Sequence, residues 1–261
     1  SAYPTRLTAA GQTLHAQAID MLQSLQTSRS MLRGHTSNNQ SLVEFAVPHT
    51  LALTFFPSWI AGLQQQFGEI KTRLTALNVH DAVLRLVEGG CDFLIAYHHP
   101  SHPLQLDPDR FDMVVLGQEV LAPFAKAADA GQSPFVLPAT ARKSAAYLAY
   151  ASGAYLGRVV DFLLNDIKTE MHLNRVYETD MAESLKAMAL EGHGVAFLPL
   201  SSVHKEVREQ KLVQLRLPNG PSLEVVMEIR AYRQKPQLFQ PSHETKCLCG
   251  FAYRAAAEQV F

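Results

Sequence analysis

The stretch at 42–60 constrains the fold most, because its hydrophobic pattern changes period partway along. Residues 42–47 are largely β-branched or aromatic, which predicts a core strand. From residue 51 onward, large apolar side chains recur at helical spacing, which predicts a helix. The Pro-His-Thr run at 48–50 lies where that helix begins, beside backbone N–H groups that lack a partner within the helix. The stretch therefore predicts a strand-to-helix junction that binds a small polar ligand.

The same pattern of strand followed by helix recurs along the rest of the chain. Further strands are predicted at 70–77, 91–96, 113–124, 135–138, 195–199 and 223–232, the last of which crosses back to the first unit. Further helices are predicted at 81–89, 156–166 and 181–191. This order predicts an α/β fold of two Rossmann-like units, each with a parallel sheet.

Polar residues follow the predicted strands at their carboxyl ends, where open parallel sheets bind ligands. In the first unit this edge is expected to carry His49, Thr50, Leu51, Asn78, Tyr97 and His98. In the second unit a loop rich in tyrosine, serine and glycine supplies Tyr150 and Ser152. The two sets are expected to face one crevice.

Each of these residues also has a purely structural interpretation. Thr50 suits contact with a carboxylate or another anion, and it suits a helix N-cap equally well. His49 and His98 either contact the ligand or are solvated loop histidines. Tyr150 either faces the ligand or packs at a domain interface.

A long amphipathic helix is predicted to follow Thr8, which is a good N-cap. It would run for about 25 residues and end at Gly34, before a flexible polar hinge at 35–41. The apolar residues on its nearby faces are Leu14, Ala18, Leu22, Leu25 and Leu32. Such a helix cannot bury this stripe alone, so we expect it to pack against the same helix of a second chain. The alternative is a terminal helix folded onto its own domain.

Composition excludes several classes of protein. The net charge of −1 offers no broad basic surface for nucleic acid. The chain has no apolar run long enough for a membrane helix and no export signal, so we expect a cytoplasmic location. Its three cysteines, Cys91, Cys247 and Cys249, fit a reducing compartment rather than a disulfide framework.

The sequence offers little for metal, cofactor or catalytic chemistry. His98, His99 and His102 lie on a proline-rich loop without a zinc-like spacing, and Cys247-x-Cys249 lacks a second pair of ligands. The chain also lacks a G-x-S-x-G elbow, a P-loop and an H-E-x-x-H motif. We therefore expect no metal, no cofactor and no enzymatic activity.

Several motifs together resemble LysR-type transcriptional regulators. In order, they are LTAAGQ at 7–12 before a long helix, a strand–turn–helix closing on Phe56-Pro57, LVEGGCD at 86–92 and ALEGHGVAFLP at 189–199. The resemblance covers residues 5 to about 232. It implies a homodimer or homotetramer with an N-terminal DNA-reading domain, a dimerising helix and an effector module like a type 2 periplasmic binding protein.

A narrower resemblance concerns the signal. The runs YASGAYLGR at 150–158 and MAESLK at 181–186 resemble the hypochlorite-responsive LysR regulators, in which methionine oxidation is the signal. This implies that Asp180 and Met181 line the crevice at a helix start and that Met181 is the redox residue. A sulfoxide there would be polar and chiral and would change domain closure. The chain departs from that group at His193, where the group has cysteine, and in a tail without an amphipathic closing helix. The alternative to these sensing roles is structural. In that interpretation, Met181 is an apolar helix residue and Asp180 is a helix cap.

Together these features predict the effector-sensing and oligomerisation part of a regulator. Its signal would be a small anionic metabolite or an oxidant such as hypochlorite, and it would reach DNA through an N-terminal domain. The alternative is a solute-binding protein of the same fold. The predicted segments are a remnant of the winged helix-turn-helix at 1–6, the helix at 7–34, the hinge at 35–41, subdomain I at 42–117 with 226–261, and subdomain II at 118–225.

Overall fold

A computed structural model of the chain describes residues 8–11, 13–14, 17–18, 21, 42–128, 133–167, 169–218 and 220–235. The described residues of the N-terminal segment from 9 to 21 are helical. Thr8 caps them as predicted, because its Oγ1 accepts a hydrogen bond from the Gly11 N–H at 3.1 Å. Leu14, 68% exposed, and Ala18 are open to solvent, whereas Leu22, Leu25, Leu32 and the hinge lie outside the described residues. Packing against a second chain therefore stays a prediction.

The first lobe alternates strands and helices, as the hydrophobic pattern predicts. Its elements are β1 (Val43–Pro48), α1 (His49–Thr54), α2 (Phe56–Phe67), β2 (Thr72–Leu77), α3 (Val79–Val87) and β3 (Phe93–His98). Strand β1 pairs in parallel with both β2 and β3. Two short helices replace the single helix that the sequence predicts. The break falls at Phe55, just before Pro57, which has no backbone N–H to continue the first helix.

The second lobe repeats this arrangement. Its elements are β5 (Ala145–Tyr150), α4 (Tyr155–Asp166), β6 (Leu173–Thr179), α5 (Ala182–Glu191), β7 (Val195–Pro199), α6 (Leu200–Arg208) and β8 (Leu212–Gln214). Strand β5 pairs in parallel with β6 and β7. Helix α5 ends at Gly192, as predicted, with φ +87° in the left-handed region.

Two long strands join the lobes into one sheet. They are β4 (Phe111–Lys126) and β9 (Val225–Gln234), which pair antiparallel. The strand order is β2-β1-β3-β9-β4-β7-β5-β6, with β8 paired to β4. Strand β9 therefore joins β3 of the first lobe, while β4 joins β7 of the second. The return of the last strand to the first lobe is confirmed, and the predicted segment boundaries stay predictions.

Two local predictions in the second lobe are wrong. Residues 135–138 form no strand, because Pro134 and Pro138 bracket too short a segment for a hydrogen-bonded ladder. The first strand of this lobe is instead β5, which the sequence suggested was a loop because of its tyrosines. Alanine and leucine between those tyrosines allow the segment to lie buried between β6 and β7.

A large apolar core runs through both lobes. In the first lobe it contains an aromatic cluster in which Phe45 contacts Phe56, Trp59 and Phe93 at centroid distances of 5.1, 5.9 and 5.4 Å. This cluster holds α2 on the sheet. No helix among the described residues is long and apolar enough to cross a membrane.

Candidate functional site

Two strand-to-helix junctions, one from each lobe, face each other. Strand β1 ends at Pro48, which precedes α1, and β7 ends at Pro199, which precedes α6. Helices α1 and α6 pack against each other across the lobes. Neither N-cap residue, Pro48 or Pro199, provides a side-chain hydrogen bond to its own helix. The sequence predicts that β1 and α1 form one wall of a crevice. The start of α6 in the second lobe is the corresponding junction on the other side.

The start of α6 is fixed by a buried acid from the connecting strand β4. Glu119 is only 5% exposed. Its carboxylate accepts hydrogen bonds from the Ser201 hydroxyl, from the Ser201 N–H at 3.2 Å and from the Val120 N–H at 3.0 Å. Glu119 thus occupies the N-terminal end of α6.

Two tyrosine hydroxyls are buried next to this acid. Tyr97 lies near the end of β3 and is 1% exposed, and Tyr150 ends β5 and is 3% exposed. The Tyr150 hydroxyl has no hydrogen-bond partner in the described part of the chain. Burial raises the pKa of both tyrosines well above the usual value, and Glu119 and then the Tyr150 hydroxyl raise that of Tyr97 further. Each lobe therefore buries one of these phenols inside the fold.

The surroundings of these phenols carry negative charge. Glu119 and Glu183 both raise the pKa of each tyrosine. Lys186 Nζ lies 2.6 Å from the Glu183 carboxylate and donates to the Ser202 carbonyl at 3.0 Å. A side-chain hydrogen bond with Thr54 lowers the pKa of Tyr97 against the larger effect of burial, and the Thr54 hydroxyl also donates to the Thr50 carbonyl at 2.9 Å.

The loop after β3 makes a second contact between the lobes. The His99 N–H donates to the Tyr155 hydroxyl at 2.7 Å, and the His99 and His102 rings pack on Phe162 at 5.4 and 6.4 Å. Ser101 Oγ lies 2.6 Å from His99 Nδ1 and 2.8 Å from His102 Nδ1. Burial and then His102 lower the pKa of His99. This loop therefore anchors the first lobe on α4.

The predicted ligand residues divide by burial. Thr50, Leu51, Tyr97 and Tyr150 are buried, His49 and His98 are half-buried, and Asn78, Ser152, Asp180 and Met181 are exposed. The Tyr150 hydroxyl raises the pKa of Tyr97, and Thr50 lies in the helix that contacts α6. His98 Nδ1 is buried without a partner among the described residues. Burial and then Arg230 lower the pKa of His98.

The predicted cap at Asp180 and the alternative interpretation of Thr50 as an N-cap are both wrong. Pro48, not Thr50, is the N-cap of α1, because the helix begins at His49 directly after the strand. Met181, not Asp180, is the N-cap of α5, with an extended backbone at φ −103° and ψ 117°. The Met181 N–H donates to Thr179 Oγ1 at 3.3 Å. Asp180 is therefore an exposed residue one position before the cap.

Sequence reasoning missed Glu119, Glu183 and Ser201. A single acid inside the apolar strand 113–124 is the signal that pointed to Glu119, because such a residue must find buried donors. Ser201 lies two residues after Pro199, just as Thr50 lies two residues after Pro48. This repeated spacing of proline and hydroxyl residue was the sequence signal for the second junction.

Metal-ligating groups do not cluster in the described ranges. No set of three or more histidine, cysteine, aspartate or glutamate side chains there could hold an ion. Cys91 is buried, and burial raises the pKa of its thiol to about 12. Cys247 and Cys249 lie outside the described residues.

Comparison with known proteins places this architecture in a family. The family described as LysR substrate binding domain matches residues 37–241. The chain is 29% identical to the HTH-type transcriptional regulator YjiE of Escherichia coli K12 over 235 residues, which are 90% of this chain and 73% of YjiE. It is 28% identical to the HTH domain-truncated transcriptional regulator QseD of Escherichia coli O157:H7, covering 90% of this chain and 91% of QseD.

Solved structures show the same fold. Full-length HypT from Salmonella typhimurium superposes with a TM-score of 0.67 and 24% identity, covering 99% of this chain and 81% of HypT. The two lobes joined by β4 and β9 accordingly have the type 2 periplasmic-binding-like fold of LysR regulatory domains. The chain belongs to the LysR substrate-binding domain family and contains the effector-binding domain of a LysR-type transcriptional regulator.

Proposed function

We propose that this chain senses a small-molecule or oxidant signal in the crevice between its lobes and holds a cytoplasmic, DNA-binding regulator together as a homodimer or homotetramer. The match of the LysR substrate binding domain family to residues 37–241 carries this proposal. YjiE and QseD are transcriptional regulators, which favours regulation over the alternative of a solute-binding protein. DNA contact is assigned to an N-terminal domain, since the net charge here is −1.

The oligomer is proposed to form through the N-terminal helical segment. Leu14 and Ala18 are four residues apart, so they lie on one face of a helix, and both are exposed. We expect this chain to be a dimer or tetramer by native mass spectrometry. The pair of substitutions Leu14→Glu and Ala18→Glu should yield monomers, whereas Ala9→Glu, on another face, should not. A wild-type chain that is monomeric would contradict the regulator and favour a solute-binding protein.

Met181 is proposed as the oxidant-sensing residue. HypT, a relative in fold, is a hypochlorite-specific LysR-type transcriptional regulator. Met181 is 39% exposed, and its carbonyl accepts the Ser184 and Leu185 N–H groups at the start of α5, the helix that carries Glu183. Hypochlorous acid would transfer its oxygen to the thioether sulfur, leaving chloride and a proton. The resulting polar sulfoxide would alter the start of α5.

Met113 provides a matched control because it is 41% exposed and lies near the start of β4, opposite Tyr232 of β9, which pairs with β3 of the first lobe. Hypochlorite should oxidise both residues, as peptide mass spectrometry would reveal. Met181→Gln should change the radius of gyration measured by small-angle scattering, whereas Met113→Gln should leave it unchanged. An unoxidised Met181, or equal effects of the two substitutions, would remove Met181 from this role.

A further inference from the structure

We propose that the turn at residues 99–102 is an acid-sensitive latch between the lobes, which holds the first lobe on α4 only while the His99 ring is uncharged. The turn follows β3 of the first lobe, and α4 belongs to the second. Release of this contact would free the lobes to move about the two connecting strands. The inference goes beyond the proposed function, because the signal that it adds is the proton rather than a bound molecule or an oxidant.

The local sequence forms a tight turn that brings two histidine rings together. The His102 N–H donates to the His99 carbonyl at 3.0 Å, which closes a four-residue turn. Pro100 occupies the second position of this turn, where its fixed φ is favoured. The rings of His99 and His102 therefore lie near each other, and Ser101 Oγ lies between their Nδ1 atoms at 2.6 and 2.8 Å.

The latch contacts one face of α4. Tyr155 and Phe162 are seven residues apart on this helix, so they lie on the same face. The His99 N–H donates to the Tyr155 hydroxyl at 2.7 Å, and both histidine rings lie against Phe162. His99 therefore holds the turn on α4 through its main chain and through its ring.

The hydrogen bonds within the turn define which nitrogen of His99 carries its proton. The Ser101 N–H points at His99 Nδ1 at 3.3 Å, so this nitrogen accepts and the ring proton lies on Nε2. The Ser101 hydroxyl donates its single proton to the same Nδ1, and its oxygen accepts from His102 Nδ1. His102 can gain a second proton on Nε2 and keep this hydrogen bond. His99 cannot, because a proton on its Nδ1 would face the Ser101 N–H.

The surroundings of His99 offer little compensation for a positive charge. Burial and then His102 lower its pKa. Neither ring of the latch forms an ion pair with a carboxylate in the described part of the chain, and Glu228 is already paired with Arg230 at 2.6 Å. The titratable and charged groups around the latch are His98 on β3, Tyr155 and Arg158 on α4, and Glu228, Arg230 and Tyr232 on β9.

The aromatic contact opposes release, since a charged ring is attracted to the face of Phe162. This attraction acts on His99 and His102 alike, because both rings lie against Phe162. The conflict with the Ser101 N–H acts on His99 alone. The two histidines are therefore expected to respond differently to acid.

The latch should weaken as the pH falls below the ordinary pKa of histidine, which is about 6.5. The pKa of His99 is lower in the folded chain, so the unfolded chain takes up this proton at a higher pH. The stability that the latch contributes is therefore complete above about pH 6.5 and decreases below it, toward the pKa of the folded state.

His99→Asn tests the charge. The asparagine oxygen takes the place of Nδ1 as an acceptor and never gains a proton. Between about pH 7.5 and about pH 5.5, the thermal midpoint of the wild-type chain should fall by about 2 °C more than that of His99→Asn. His102→Asn is the matched control, because its amide can donate to Ser101, and it should keep most of the wild-type response. The inference is wrong if wild type and His99→Asn respond equally, or if His102→Asn loses the response as well.

A second measurement tests whether the lobes separate. Hydrogen exchange, corrected for the intrinsic rate at each pH, should become faster in acid at the turn and at the start of α4, but not at the start of α5. Small-angle scattering should show a larger radius of gyration in acid for the wild-type chain and not for His99→Asn. Tyr155→Phe removes the acceptor of the His99 N–H, so it should loosen the same segments at neutral pH.

A midpoint that falls in acid without any change in exchange at α4 or in the radius of gyration would make the titration of His99 a local event and overturn the latch. Neither test uses an oxidant or an effector, so failure of the latch and failure of the proposed function are distinguishable.

Discussion

The two strand-to-helix junctions share a design but differ in how their helices are held. Each consists of a buried strand, a terminal proline and a helix that begins directly after it. At the second junction Glu119 binds both the hydroxyl and the N–H of Ser201. At the first, no side-chain hydrogen bond to the start of α1 occurs among the described residues. The second junction is therefore the wall whose helix start is held by a buried side chain. At the first junction, the start of α1 is not held by any side chain among the described residues.

The largest effect is expected from loss of the acid that fixes the second wall. Glu119→Ala leaves the Ser201 hydroxyl and two N–H groups without their acceptor, so it should lower the free energy of unfolding by about 3 kcal/mol. Urea denaturation would measure this loss. Glu69→Ala, at an exposed acid of the first lobe, should change the value by less than about 0.5 kcal/mol. Equal effects would mean that burial of Glu119 does not matter for stability.

A smaller effect is expected for its partner. Ser201→Ala removes one of the three hydrogen bonds to Glu119 and should cost about 1 kcal/mol. In a double-mutant cycle with Glu119→Ala, the two losses should fall short of additivity by about 1 kcal/mol. Strict additivity would mean that Ser201 and Glu119 do not stabilise each other. The start of α6 would then be held no more firmly than the start of α1.

The smallest effect is expected at the first wall. The Thr50 hydroxyl caps no backbone group at the start of α1, so Thr50→Val should change the free energy of unfolding by less than about 0.5 kcal/mol. The same urea titration measures it. A loss comparable to that of Ser201→Ala would show that the first helix is anchored like the second.

Hydrophobic periodicity predicted most of the fold and part of the site. The strands at 42–47, 91–96 and 195–199 and the end of α5 at Gly192 followed from local pattern and backbone preference. Strand β5 was missed because tyrosines and alanines suit a loop and a buried strand alike. Tyr97 and Tyr150 were predicted as site residues, but Glu119 and Ser201 were not.

The sequence by itself determined the order of elements, the two repeated units and the family. These depend on residues near one another in the chain, whose spacing records the helical or strand period. Only the tertiary structure decided the character of the crevice. Glu119 and Ser201 are 82 residues apart, and Tyr97 and Tyr150 come from different lobes. Whether a polar group is satisfied, unsatisfied or repelled depends on such distant neighbours, because burial removes the water that would otherwise serve it.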